Sequence, residues 1–192
     1  TRRRGPRRAL GDGAGLLGRA RLFPVLRSLL SAVALVSLQR VMEVGYSRRN
    51  ERRLRARGAV ERGREHYPLI VALHALWLFS TLVEGVLRRS KPRRAPLAAF
   101  LLVQPLRYWA ILSLGEHWNT KILVVPGAKL VRRGPYRYFP HPNYLVVAVE
   151  ILAFPLIFGA RITALVFSLL NAAVLSIRIR EEERALRELA EG

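Results

Sequence analysis

The chain has no cysteine among its 192 residues, which excludes a disulfide framework, a thiolate zinc site and a cysteine nucleophile. Its four histidines, His66, His74, His117 and His141, show no HExxH spacing, so metal catalysis has no support and no metal is expected. Acidic residues are scarce, 13 against 33 Lys and Arg, leaving a formal charge of +20. The segment before Leu22 is rich in Arg and Gly and lacks a small-residue cleavage site, so it does not read as a cleavable signal peptide. No internal repeat stands out.

What is abundant is apolar: 51% of residues are hydrophobic. The basic residues lie in blocks between long apolar runs. Tyr67–Val83 and Ile162–Ile177 carry no Asp, Glu, Lys or Arg, and Leu22–Val44, Ala95–Leu114 and Tyr144–Gly159 carry one to three each. A spanning helix needs about 20 mostly apolar residues. The pattern predicts an all-α integral membrane protein with about five transmembrane helices: Leu22–Tyr46, Tyr67–Leu87, Ala95–Leu114, Tyr144–Phe158 and Ile162–Arg180. The last two, joined by Gly159-Ala160-Arg161, form a helical hairpin. Residues 1–21, with seven Arg, read as a flexible basic arm, and residues 22–192 as a single membrane domain. Ile122–Val125 before Pro126-Gly127 reads as a short strand and turn, and Glu181–Leu189 as a charged helix.

Orientation follows from the distribution of basic residues. Placing the 47–66 loop, the 115–143 connection and the C-terminus in the cytoplasm gives that side 17 Lys and Arg, against 12 in residues 1–21 and 88–94. The positive-inside rule favours this arrangement, with the N-terminus outside.

Four elements carry charge or chemistry. Arg107 is a cation inside an apolar helix, where such a charge faces a cavity or a partner, or snorkels to the interface. Arg40 and Glu43, at i,i+3 in the first helix, can neutralise each other. The stretch Gly134–Tyr144 sets Tyr136, Tyr138, Phe139, Tyr144, Arg137 and His141 on a loop stiffened by Pro135, Pro140 and Pro142. Its aromatic faces suit a flat ring or a cation, although a belt of interfacial aromatics has the same composition. At the end of the last apolar helix, Arg178 and Glu182 are i,i+4 and share a face, as they would in a solvated salt-bridged helix end.

In order, Leu106-Arg107, Gly115, Trp118-Asn119, Gly134-Pro135-Tyr136-Arg137-Tyr138, His141-Pro142-Asn143-Tyr144 and Arg178…Glu182-Glu183…Leu186 resemble the isoprenylcysteine carboxyl methyltransferase family. The resemblance covers about residues 100–190, the family's catalytic half. It implies an integral-membrane enzyme that takes S-adenosyl-L-methionine from the cytosol and a lipophilic acceptor from the bilayer. It implies a cytosolic cofactor pocket formed by the 115–143 connection and the C-terminal helix. By position, Lys121, Ala128, Lys129, Leu130, Val131, Tyr136, His141, Pro142, Asn143, Tyr144 and Glu182 would bind the cofactor, and Arg178 and Arg107 would face the acceptor. Two positions depart from the family pattern: Pro140 stands where Arg is usual before the histidine, and Val146 where a small residue is usual.

The expected activity is O-methylation of a carboxylate or hydroxyl on a lipophilic acceptor, either prenylcysteine-like or a lipid-like polyketide such as an alkylpyrone or alkylresorcinol. The expected location is a bacterial cytoplasmic membrane. The competing reading is a non-enzymatic basic membrane protein whose Arg clusters bind anionic lipid; nucleic acid is the less favoured partner.

Overall fold

The computed structural model describes the backbone of residues 12–128 and 130–191 and the side chains of residues 23–128 and 130–188. Residues 1–11 of the expected arm therefore lie outside the described residues. Five helices dominate: α1 Asp12–Ala56, α2 Tyr67–Arg88, α3 Arg94–Leu114, α4 Pro142–Ile157 and α5 Arg161–Glu191.

Four helical segments, Phe23–Ala56, Arg64–Arg88, Arg94–His117 and Arg161–Glu188, are long and apolar enough to cross a membrane. Large apolar side chains on them face outward, Leu87, Leu102 and Leu112 each being about three-quarters exposed. Such a surface is compatible with lipid and not with water. Among the described residues, the expected count of five spans becomes four plus one short helix. The 16 residues of α4 reach about 24 Å, under the thickness of a hydrocarbon core. Packing explains the tolerance: Val146, Glu150, Ile151, Phe154 and Ile157 of α4 are buried against protein.

The core is built around α4. Trp77, Phe100 and Phe158 surround Phe154 at ring-centroid distances of 5.4, 5.4 and 5.8 Å. Pro155 has no N–H to give the Ile151 carbonyl one turn back, and the buried indole Nε1–H of Trp77 donates to that carbonyl at 3.1 Å instead. The Gly159-Ala160 link turns the chain into α5, giving the expected hairpin, with Gly159 at φ 74°.

Helix α5 receives its N-terminal cap from another helix. Glu84 of α2 accepts from the Ile162 N–H (3.2 Å), the Thr163 N–H (2.8 Å) and the Thr163 hydroxyl (2.8 Å). A carboxylate there satisfies orphan amides and complements the helix dipole. Glu84→Ala is expected to lower stability by about 1–3 kcal/mol, read by thermal unfolding in detergent.

Two elements run further than the apolar pattern suggests. Helix α1 does not stop near Tyr46 but continues through the Arg-rich segment to Ala56. Ser47 and Asn50, one turn apart, explain why. Asn50 Nδ2 donates to the carbonyls of Gly115 (3.0 Å) and Trp118 (2.8 Å), and Ser47 Oγ donates to Asn119 Oδ1 (3.0 Å). The helix ends at Gly58, φ 82°, where the N–H of Ala59 closes back on the Leu54 carbonyl. Likewise α5 absorbs the charged C-terminal segment into one helix. The expected strand is β2, Ile122–Val124. It pairs antiparallel with β1, Val60–Arg62, in the register Val60 opposite Val124. Ile122 and Val124 pack on Ala185 of α5, which draws the connection over the end of the bundle.

Candidate functional site

A cavity of about 460 Å³ lies between the helices at the end covered by the two strands. Its polar end is assembled by α4, α5 and the connection. Gly134, at φ 59°, starts a 3₁₀ turn, Gly134–Arg137, packed so closely on Ser113 and Trp109 of α3 that a Cβ would collide. The turn delivers Tyr136. Pro142 occupies the first turn of α4, where its missing N–H costs nothing, with His141 at the cap position.

The aromatic rings and the charged pair meet here. His141 stacks on Tyr144 at 5.2 Å with 19° between planes. Arg178 and Glu182, the i,i+4 pair, converge on one phenol: the Tyr144 hydroxyl donates to Glu182 Oε2, and Arg178 Nε donates to the same hydroxyl at 2.8 Å. Arg178 Nη2 donates to the Thr120 carbonyl at 2.7 Å, and its guanidinium lies 5.7 Å from the Tyr144 ring centre. Burial, helped by the Glu182 charge, pushes the Tyr136 phenol well above its ordinary range, so it stays protonated and can donate.

Seven of the cofactor and acceptor residues expected from the sequence line this one cavity: Lys121, Tyr136, His141, Asn143, Tyr144, Arg178 and Glu182, with Arg107 at its other end. The charge on Lys121 is held by Glu51, 2.9 Å away, above the Tyr67 ring. Ala128, Leu130, Val131 and Pro142 are not among the residues on this wall. Leu130 and Val131 line a separate depression with Arg132 and Arg133. The turn at Gly127, φ 72°, and the bond from Arg133 Nε to the Ser113 carbonyl (2.7 Å) hold this segment at the end of α3. Pro142 is fully buried in packing, and Lys129 lies outside the described residues.

Arg107 is 1% exposed and all of its hydrogen-bonding nitrogens meet carboxylates. Nε and Nη2 bind Glu150, and Nη1 lies 3.1 Å from both oxygens of Glu43. Arg40 completes a neutral quartet, 2.9 Å from Glu43 and 3.1 Å from Glu150, and Gln104 donates to Glu150 at 2.7 Å. The Arg40–Glu43 pair expected from the sequence is thus half of a larger network. Every donor nitrogen of Arg107 is thus taken by a carboxylate, whereas Arg178 on the cavity wall keeps Nη1, which carries no hydrogen bond among the described residues. Sequence reasoning passed over Glu150, although a lone carboxylate in the Tyr144–Gly159 run is the same signal that singled out Arg107.

Residues 96–188 match the family model described as Isoprenylcysteine carboxyl methyltransferase (ICMT) family. The chain is 46% identical over 159 residues to the uncharacterized protein YpbQ of Bacillus subtilis, covering 81% of this chain and 95% of that protein. It is 28% identical over 154 residues to an uncharacterized protein of Haemophilus influenzae, covering 78% of this chain and 90% of that one. No solved structure matches. The ordered motifs, the membrane-spanning helices and these similarities agree: the chain belongs to the isoprenylcysteine carboxyl methyltransferase family, a family of membrane methyltransferases.

Proposed function

We propose that the protein is an S-adenosyl-L-methionine-dependent O-methyltransferase. It methylates a carboxylate or hydroxyl on a lipophilic acceptor that enters from the bilayer, with the polar end of the cavity facing the cytoplasm. The observation that carries this reading is one continuous cavity with two characters: the His141, Asn143, Tyr144 and Glu182 set at one end and the apolar side chains of Val71, Ala75, Leu78 and Val174 beyond it. Its volume is in the range of small-molecule sites.

The residues present fit the cofactor. Asn143 Oδ1 is a buried acceptor without a partner on the cavity wall, suited to an ammonium group. The stacked His141 and Tyr144 rings offer aromatic surface to a sulfonium or a flat base. Glu182 supplies a carboxylate for a hydroxyl or amine. When bound, S-adenosyl-L-methionine supplies an electrophilic methyl group.

The chain's own task is alignment. Displacement at a methyl carbon needs the nucleophilic oxygen held in line, and most of the rate gain comes from that positioning. A carboxylate acceptor arrives ionised and needs a cation to orient it. Arg178 Nη1 provides one, while the bonds to Tyr144 and Thr120 fix the guanidinium plane. A hydroxyl acceptor must in addition lose its proton. The apolar wall excludes water.

The test is calorimetric titration of S-adenosyl-L-methionine into the purified protein in phosphatidylcholine nanodiscs. Saturable binding is expected, and Asn143→Leu is expected to weaken it at least about tenfold, the value of one hydrogen bond to a charged group. A folded wild-type protein that gives no binding would sink the reading.

A further inference from the structure

Thr120 touches three helices, and each contact residue has a counterpart two turns deeper on its own helix. Ser47 Oγ of α1 lies 2.9 Å from Thr120 Oγ1, Tyr67 Oη of α2 lies 3.3 Å from it, and Arg178 of α5 donates to its carbonyl at 2.7 Å. Seven residues from each, away from the strand-covered end, stand Arg40, His74 and Asn171. Seven residues are close to two helical turns, so these side chains occupy the same helix faces about 10 Å further in. All three line the cavity.

Each carries hydrogen-bonding capacity the protein leaves unused. Asn171 is 3% exposed, yet its amide makes no hydrogen bond among the described residues. The nitrogen Nε of Arg40 is buried without a partner, even though Nη1 and Nη2 are held by Glu43 and Glu150. The Nδ1 of His74 is 2.8 Å from the Ile70 carbonyl, which can only accept, so Nδ1 carries the proton and Nε2 of the neutral ring is left as an acceptor. A buried amide facing a purely apolar tail would forfeit its bonds to water with nothing in return. Val41, Leu78 and Val174 supply apolar wall beside this layer, and Glu43 and Arg107, paired within the quartet, also line the cavity.

Resting on the acceptor reading of this cavity, we propose a second polar subsite, formed by Asn171, His74 and Arg40. It recognises an oxygen-bearing group, a hydroxyl or carbonyl, on the acceptor's chain about 10 Å from the oxygen oriented by Arg178. The acceptor is then bipolar rather than a simple hydrocarbon tail on one polar head. Asn171 can donate and accept, Arg40 Nε donates, and His74 Nε2 accepts, so a hydroxyl can be bonded on both its sides. The subsite sets register: it fixes how far the chain slides in, and so where the head stops against Arg178.

The probes are stearic acid and stearic acids hydroxylated at successive mid-chain carbons, competed pairwise on the detergent-purified full-length protein and read by native mass spectrometry. One hydroxylated position is expected to bind about tenfold tighter than stearic acid, with neighbouring positions weaker. Asn171→Leu is expected to abolish that preference, with stearic acid bound at least as tightly as before, because the unmet amide is gone, and with S-adenosyl-L-methionine binding unchanged. His74→Leu, on a different helix, is expected to reduce it as well. A wild-type protein that binds S-adenosyl-L-methionine but shows no preference at any position overturns the subsite, as does a preference that survives both substitutions. Failure of S-adenosyl-L-methionine binding overturns the methyltransferase reading itself, so the two failures are distinguishable.

Discussion

Glu150→Ala is expected to be the most destabilising single substitution in the apolar body of the protein, at about 3–5 kcal/mol, with little folded protein recovered from membranes. Glu150 is 3% exposed and bonds Arg107, Arg40 and Gln104 at once. Its removal leaves two guanidiniums facing one carboxylate, Glu43, in a region where neither water nor lipid headgroups can compensate. The paired change tests the cause. Glu150→Gln keeps the shape and an acceptor oxygen but not the charge, and is expected to recover only part of the loss. Arg107→Met combined with Glu150→Leu, which removes one charge of each sign, is expected to be less damaging than Glu150→Ala. The measurement is the fraction of monodisperse protein and its thermal midpoint in detergent. Equal stability of Glu150→Ala and wild type would show that the quartet is not holding α1, α3 and α4 together. Because the quartet also forms part of the cavity wall, its loss is expected to lower S-adenosyl-L-methionine binding only in proportion to unfolded material.

Helix positions were legible because lipid imposes a simple code. Apolar runs of spanning length with basic blocks between them gave α2, α3 and α4 to within one or two residues at most ends. The code fails where a helix leaves the bilayer. Residues 47–56 are polar and Arg-rich, and nothing local distinguishes a helix from a loop there. What decides is the pairing of Ser47 and Asn50 with the carbonyls and amides of residues 115–120. At the site, the Arg178–Glu182 spacing and the His141–Tyr144 run could be read directly, since one is a helical neighbour relation and the other a contiguous motif. Their meeting point, the Tyr144 hydroxyl, could not. Asn171 and His74 were invisible as site residues for a different reason. Each is a lone polar group in an apolar run, and only the shared seven-residue step from a Thr120 contact brings them to one depth. Leu130 and Val131 were placed by resemblance alone, and they line a second depression that shares Leu114 and His117 with the main cavity.

Arg178→Ala is expected to lower kcat/KM for methyl transfer by about a hundredfold or more, the scale of losing a positioned charge or misplacing a reacting atom by about an ångström. Two effects combine. The acceptor's anionic or polarised oxygen loses the cationic donor at Nη1, and Tyr144 loses the donor that holds its hydroxyl between α4 and α5. Arg178→Lys separates them. A lysine keeps the charge, but one ammonium cannot reach Tyr144 and the Thr120 carbonyl while also donating to the acceptor. It is expected to stay closer to the alanine variant than to wild type. Tyr144→Phe keeps Arg178 and the stacked ring but deletes the hydroxyl shared by Arg178 and Glu182, and a loss of about tenfold is expected, carried mainly by kcat. For a carboxylate acceptor, Arg178→Ala should raise the acceptor KM strongly while S-adenosyl-L-methionine affinity falls by less than about threefold, because Asn143 and the His141–Tyr144 stack remain. For a hydroxyl acceptor the cation has no full charge to meet, so the fall should appear in kcat with KM nearly constant. Steady-state kinetics with labelled S-adenosyl-L-methionine and a lipid extract as acceptor source, followed by the purified acceptor, would read this split. Wild-type kinetics in Arg178→Ala would remove Arg178 from the acceptor site and leave the cavity without its orienting cation.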